Sequence, residues 1–525
     1  MRGPIAPGVR SITDMKAEPF DSGPSGPAHP AHPAHPHMDA ATFERLGDAT
    51  LRWITNYLDR AETLPVASTA EPGSVRRAFP VSPPEHGGSI EDLLDVVDEK
   101  IMPGLTHWQS PNWFAYFPCN HSFPSILGEM LAAGLGTQGM IWATSPACTE
   151  LESLMMDWAL EILGLPDRFR TGPRDDSGRS DLPGGGVIQD TASSATLCSL
   201  LAARERATDG VAGRDGVTAC PPLVAYTSEH AHSSVEKACG MAGIGRANLR
   251  LVAADPETHA MRPDELERLM DEDVAAGRIP FYVCTTCGTT SSGAIDDTAA
   301  ISEITRRHGA WLHLDGAMFG VAAVCPEFRW VLDGAEHCDS VCVNPHKWLF
   351  TNFDCDLFWV ADRRALTRAL GIMPEYLRNA PSESGQVIDY RDWQVPLGRR
   401  FRALKLWLVF QHYGAEGLRT ALRDHIAIAQ EFADMVDADP DWIRCAPSPI
   451  SLVCIRHRDG DERTRSVLEA INASGEAMLS HTKLDGHYVI RVSIGQTRTR
   501  LAHVHRLFET LGMHGRASLT AASDE

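Results

Sequence analysis

The sequence has no uninterrupted apolar run long enough to span a bilayer; the longest candidates are broken by Glu129, Gln138 or glycine. It is also poor in positive charge, with 48 lysines and arginines against 69 aspartates and glutamates and a net charge of −21. No long basic stripe occurs, so neither nucleic acid nor an anionic membrane is expected as a partner. The 13 cysteines follow no regular spacing and no secretory leader is visible, which argues against a disulfide scaffold and makes the cytoplasm the expected compartment. Cys284-Thr-Thr-Cys287 has the spacing of a redox motif, but it sits inside the apolar strand pattern Phe281-Tyr-Val-Cys rather than opening a helix, which favours a buried structural role. No metal site is expected.

What is present suits a globular enzyme. The chain has 525 residues, 43% of them hydrophobic and 22% charged, enough for a substantial core. Residues 1–37 form a Pro/His-rich tail with the repeat Pro27-Ala-His-Pro-Ala-His-Pro-Ala-His-Pro36, which lacks the apolar surface to offset its ordering entropy and is expected to be disordered. Residues 38–122 read as a helical N-terminal segment: Asp39 to Asp59 carries apolar residues at helical spacing, and Ser89 is placed to cap a second helix. Residues 123–404 alternate strand-like and helix-like stretches, as a doubly wound α/β domain does. Within them the mixed-charge stretch from Asp167 to Asp181 reads as an exposed loop. Residues 405–515 read as a smaller α+β domain, and 516–525 as a frayed tail.

Three stretches of the α/β region carry chemistry. In Asp339-Ser-Val-Cys-Val-Asn-Pro-His-Lys-Trp348 an apolar strand ends at a proline and delivers Lys347 between two apolar runs. Burial there disfavours the ammonium form and leaves an amine able to attack an aldehyde. A lysine snorkelling at a strand end is the plainer alternative. Trp311-Leu-His-Leu-Asp315 is a strand that ends in a carboxylate and is followed by small residues. Gly184-Gly-Gly-Val-Ile-Gln-Asp-Thr-Ala-Ser193 leads into a helical run, where free N–H groups can hold an anion. An aldehyde-binding lysine, a carboxylate to keep a pyridine nitrogen protonated and a phosphate cradle are together what pyridoxal phosphate requires.

With these stretches in view, the chain resembles the group II pyridoxal-phosphate-dependent decarboxylases, most closely the aromatic-L-amino-acid decarboxylases. The resemblance runs from about residue 38 to about residue 511. It is carried by Thr106-His-Trp-Gln-Ser-Pro, Phe114-Ala-Tyr-Phe-Pro118, Ser145-Pro-Ala-Cys-Thr-Glu-Leu-Glu152 and Ala231-His-Ser-Ser-Val-Glu236. Asn344-Pro-His-Lys-Trp348, Asn352-Phe-Asp-Cys355 and Pro396-Leu-Gly-Arg-Arg-Phe-Arg402 complete it. It implies the type I fold of pyridoxal-phosphate enzymes, an α/β architecture with a large, mostly parallel sheet domain and a small C-terminal domain. It also implies a homodimer with active sites at the subunit interface, in which residues 38–122 contribute to dimerisation.

The resemblance implies roles for individual residues. Lys347 would hold the aldehyde, Asp315 would pair with the pyridine nitrogen, and His232 would lie over the ring and orient the substrate carboxylate. Ala317 would lie beneath the ring. Thr191, Ala192, Ser193 and Asn344 would contact phosphate, with His346 beside the lysine and Thr290 near the ring substituents. Trp108, Tyr116, Phe117, Pro118, Cys119 and Met140 would form the substrate pocket, and Gly398 would be contributed across the dimer. Cys119-Asn-His121 and Met140-Ile141 depart from the family pattern, which leaves the pocket floor and the choice among aromatic substrates open. Tyr376, in a Pro-, Gly- and Ser-bearing stretch that reads as a mobile loop, would return a proton to the substrate carbon; relatives with phenylalanine there tend to make aldehyde. Arg491, in mid-strand, fits a structural ion pair at least as well as a contact with substrate.

The expected reaction is decarboxylation of tyrosine, tryptophan, phenylalanine or dihydroxyphenylalanine to amine and CO2. Decarboxylation of histidine or an acidic amino acid, aldehyde synthesis on the same scaffold, and a non-catalytic cofactor-binding protein are the alternatives. The last is disfavoured by the presence of Lys347, Asp315, His232 and Tyr376 together.

Overall fold

Seven strands share one sheet: β1 (Gly185–Gln189), β2 (Leu223–Ser228), β3 (Leu249–Val252), β4 (Ile279–Thr286), β5 (Trp311–Asp315), β6 (Ser340–Val343) and β7 (Asp356–Val360). Their spatial order is β1-β7-β6-β5-β4-β2-β3. This is a computed structural model, and it describes residues 37–172, 183–372 and 387–516. Neighbouring strands run parallel except where β7 pairs antiparallel with β1 and β6. The start of β7 therefore lies at the edge where the other strands end, and that edge is where ligands of such sheets bind.

The strands are apolar because both faces of the sheet are covered. β1, β2, β5, β6 and β7 are buried at every position. Leu312 and Leu314 of β5 join Leu357 and Trp359 of β7 in one core layer. Trp311, Phe358 and Val360 point into the other. All 13 cysteines are free, and burial raises the thiol pKa of both Cys284 and Cys287.

The helix Ala40–Arg60 starts at Asp39, whose carboxylate accepts from Thr42 N at 2.8 Å. Ser89 precedes the helix Ile90–Val96 but makes no capping bond; its hydroxyl donates to Glu91 instead. Of the stretch from Asp167 to Asp181, expected as an exposed loop, residues 173–181 lie outside the described residues; its opening is less exposed than the charge suggests. Phe169, Arg170 and Thr171 are buried, and Thr171 Oγ1 accepts from Gly186 N at 2.9 Å, tying the segment to β1.

A second sheet of four antiparallel strands has the order β10-β11-β9-β8, from β8 (Trp442–Arg444), β9 (Leu452–His457), β10 (Ser480–Leu484) and β11 (His487–Ser493). The helix Arg402–Ala438 connects the two sheets, with a break at Gly414, whose φ of +59° lies in the left-handed region. Its first part packs in the core of the large sheet, and Ala429, Phe432, Ala433 and Val436 pack under the small one. Among the described residues no helix is long and apolar enough to cross a membrane.

His425 of this helix is 2% exposed, and its Nδ1 accepts from Trp348 Nε1 at 3.0 Å. Burial holds its pKa down to about 4. Unfolded, the same ring takes a proton near pH 6.5. The contribution of His425 to stability is therefore complete above pH 6.5 and is lost as pH falls towards 4, at up to about 1.4 kcal/mol per pH unit. Urea unfolding of His425→Gln and the parent protein at pH 7, 6 and 5 should show the gap between them shifting steadily in the variant's favour on acidification. Parallel pH dependences would contradict this.

Candidate active site

The carboxyl-end edge of the large sheet opens into a cavity of about 170 Å³. Lys347 stands in the single helical turn Pro345–Trp348 directly after β6. Asp315 ends β5, and its Oδ1 accepts from Ala317 N at 3.0 Å and weakly from Cys342 Sγ. Thr191, Ala192 and Ser193 follow β1 and open the helix Ala192–Ala207, whose N-terminus has no side-chain cap. His232 follows β2 and Thr290 follows β4. All of these, with Ala317, Asn344, His346 and Phe117, line the one cavity.

Burial lowers the Lys347 pKa against the opposing pull of Asp315, favouring the free amine. Partial desolvation also lowers the His232 pKa, and its Nδ1 accepts from Ser234 N at 3.1 Å, so the neutral ring presents Nε2–H. His346 is held neutral by burial, its pKa down to about 3, and its Nδ1 accepts from Cys355 N at 3.0 Å. Its proton is therefore on Nε2, which lies 3.3 Å from the side-chain amide of Asn344. The amide orientation that satisfies this proton turns the Asn344 oxygen to the ring and its NH2 to the cavity.

These features suit a phosphorylated pyridine aldehyde. The uncapped helix N-terminus and the Asn344 amide offer donors to an anion, Asp315 offers a carboxylate to a ring nitrogen, and Lys347 offers an amine. Gly288 and Ala317 keep the walls thin: a Cβ at Gly288, which has a φ of +90°, would sit 2.6 Å from the Phe319 ring.

The structure separates most of the expected pocket residues from this cavity. Only Phe117 lines it. Trp108 and Tyr116 lie at the surface, 36% and 54% exposed, with ring centroids 5.9 Å apart. Pro118 is buried and Cys119 partly so, outside the lining. Met140 and Gly398 belong to a neighbouring pair of loops, joined where Gly139 N donates to Arg399 O at 3.2 Å and Arg399 N to Gln138 at 2.6 Å. Tyr376 lies outside the described residues. Thr286 and Gly288, within the strand-end segment Thr285 to Thr290 expected to converge on the cofactor, line the cavity with Met318, although none of the three was given an individual role. Thr286 is in register with Asp315 across β4 and β5, so its place at a strand's carboxyl end was the available signal.

Asn120, read from sequence only as a departure, turns out to anchor the lysine turn. Its N–H donates to His346 O at 2.8 Å, and its side-chain NH2 donates to Lys347 O at 2.8 Å and Gly495 O at 2.7 Å. Its Oδ1 accepts from Thr497 N at 2.9 Å. Replacing it by alanine strands three buried backbone groups, each worth about 1–3 kcal/mol. Asn120→Ala should lower unfolding stability by at least 2 kcal/mol, about two such losses after relaxation, and slow cofactor uptake by the apoprotein. A loss under 0.5 kcal/mol, the scale of ordinary surface substitutions, would contradict the anchoring role.

Residues 72–458 match the pyridoxal-dependent decarboxylase conserved domain. The chain is 43% identical over 482 residues to phenylacetaldehyde synthase of Arabidopsis thaliana, covering 90% of this chain and 96% of that protein. It is 41% identical over 476 residues to aromatic-L-amino-acid decarboxylase of Rattus norvegicus, covering 90% and 97%. The crystal structure of Oryza sativa TDC with PLP and tryptamine superposes with a TM-score of 0.87 at 38% identity, covering 92% of this chain and 99% of that one. A domain match spanning most of the chain, identities of this size and a common fold over nearly the whole length establish that the chain belongs to the pyridoxal-dependent decarboxylase family, with pyridoxal phosphate as its cofactor.

Proposed function

We propose that this protein is a cytosolic homodimer that decarboxylates an L-aromatic amino acid to the corresponding amine and CO2. The observation that carries the proposal is the convergence of Lys347, Asp315, His232 and an uncapped helix N-terminus on one cavity, with the Phe117 ring 5.3 Å from the lysine Nζ. Pyridoxal phosphate supplies, when bound, an electron sink for the pair left on the substrate carbon as CO2 departs. Lys347 would provide the amine that holds the aldehyde group of the cofactor. Asp315, fixed by the Ala317 N–H, keeps a proton on the pyridine nitrogen. Thr191, Ala192, Ser193 and Asn344 hold the phosphate, with His346 setting the Asn344 amide. Thr290 would lie near the ring substituents, and His232 would lie over the ring and orient the substrate carboxylate. Tyr376 returns a proton to the substrate carbon, which phenylalanine cannot do.

A second copy of the chain is supported by the outer face of the helix Phe123–Leu135. There Phe123, Leu127, Met130, Leu131 and Leu135 are between 43% and 60% exposed, more apolar surface on one stripe than a monomer ordinarily presents. Trp108, Tyr116, Met140 and Gly398 then join the substrate pocket only on assembly, together with Pro118 and Cys119. Aldehyde synthesis is the second reading, favoured by the similarity to the Arabidopsis phenylacetaldehyde synthase. Tyr376 weighs against it.

Lys347→Ala should lose the visible absorption of lysine-bound pyridoxal phosphate and fall in activity by at least about a thousandfold; survival of that absorption would remove the lysine from its role. The product assay uses the purified holoenzyme with the aromatic amino acids, histidine and glutamate, reading amine, aldehyde, peroxide and CO2. Amine and CO2 in equal amounts from an aromatic substrate is the expected result, and amine from histidine or glutamate alone would overturn the substrate class. In the same assay Tyr376→Phe should divert product from amine to aldehyde, and an unchanged product would refute the proton-donor role.

A further inference from the structure

Arg491 lies on β11 of the small sheet, 3% exposed. Its Nη1 donates to Tyr116 O at 3.2 Å and to Ser480 Oγ at 2.9 Å, while Nε and Nη2 have no hydrogen-bond partner among the described residues. It forms no ion pair among the described residues, so the structural ion pair admitted from sequence is not what buries it. The group that raises its pKa against burial is the Cys454 thiol, opposite it in register on β9, and not a carboxylate. Its guanidinium carbon is 5.2 Å from the centre of the Phe117 ring, and Lys347 Nζ is 5.3 Å from the centre of that same ring. One aromatic ring is thus shared by two basic side chains, one carried by each sheet.

An unpaired buried cation is costly to keep, and pairing it with a carboxylate would cancel its field at the neighbouring site. Left unpaired, Arg491 acts on the lysine at full strength. Around Lys347, Asp315, Cys342 and Asp356 all favour the ammonium form; burial opposes it most, and Arg491 adds to that opposition. His232 and His346, the other titratable groups of the cavity, are held neutral by desolvation and do not offset it. Asp356 is wholly buried with neither oxygen hydrogen-bonded, and burial raises its pKa well above the carboxylate range, so its pull on the lysine is weak.

We propose that Arg491 is a positioning residue for Lys347: by packing on the shared Phe117 ring it fixes the lysine's place, and its unpaired charge biases the amine towards its uncharged, nucleophilic form. This rests on Lys347 as the cofactor-bearing lysine. The Phe117 ring attracts the Arg491 guanidinium as a cation–π partner and packs against the uncharged end of Lys347.

The test measures the amine itself, without substrate. Full-length apoprotein is acetylated with trace acetic anhydride across pH 6 to 11, and Lys347 labelling is quantified by mass spectrometry against the exposed Lys237 of the same chain. Arg491→Met should raise the pH of half-maximal Lys347 labelling by about one pH unit, the scale of removing one charge at this range in a protein interior. Arg491→Lys, which keeps the charge, should restore the parent midpoint to within about 0.3 pH units, well inside that scale. Should Arg491→Met fail to fold, Arg491→Gln carries the same expectation. An unmoved midpoint in a folded charge-removing variant overturns the proposal, and a raised KM alongside it would assign Arg491 to binding the substrate's anion instead. The midpoint is read without cofactor, so failure of the Lys347 assignment, seen as retained visible absorption in Lys347→Ala, is a separate outcome.

Discussion

Asn120 commits its backbone N–H, both side-chain N–H groups and its amide oxygen to backbone partners, and so joins three separate parts of the chain. It belongs to the N-terminal segment, it holds the carbonyls of His346 and Lys347, and it reaches Gly495 and Thr497 just beyond β11. A turn of four residues has too few internal bonds to hold a nucleophile in place by itself. Trp348, fully buried and bonded to His425, fixes the turn from its other side. Lys347 is placed by these long-range contacts, and the geometry of the rest of the site is measured from it.

The antiparallel placement of β7 determines what surrounds that turn. Because β7 begins at the edge where β1, β4, β5 and β6 end, Asp356 joins Asp315, Cys342 and the first residues after β1 within one buried neighbourhood. Charges there are weakly screened, and each changes the proton affinity of the next. Desolvation dominates: it pushes Lys347 and His346 down and Asp356 up, so the cavity favours neutral groups over ion pairs.

Much of this was legible in the sequence because strands that end in turn residues announce their carboxyl ends. Asp315 before Gly316, Asn344 before Pro345 and Thr191 before a helical run each combine an apolar strand with a polar terminus, and all three line the same cavity. Thr286 carried the same signal as part of the Thr285 to Thr290 segment, in which only Thr290 was given an individual role. Asn120 carried none, since nothing local marks an asparagine whose partners lie more than two hundred residues away. Ser89 shows the converse error: a sound N-cap by pattern, its hydroxyl was captured by Glu91, two residues on. The aromatic run around Trp108 told of a pocket wall but not of which cavity, because its neighbours are set by tertiary packing, and Tyr376 falls outside the described residues.

The connection from Val343 to Asp356 is anchored at both ends by antiparallel pairing of β6 with β7. Its slack is taken up inside by the Asn120 bonds to His346 and Lys347 and by the bond from Trp348 to His425. Engineering of this scaffold is thereby constrained: added residues in that connection would move the lysine relative to Asp315, whereas the surface loops joining helices to strands elsewhere are free to vary in length. Lys347 is held between two anchored strands, while the other walls of the cavity come from separate parts of the chain.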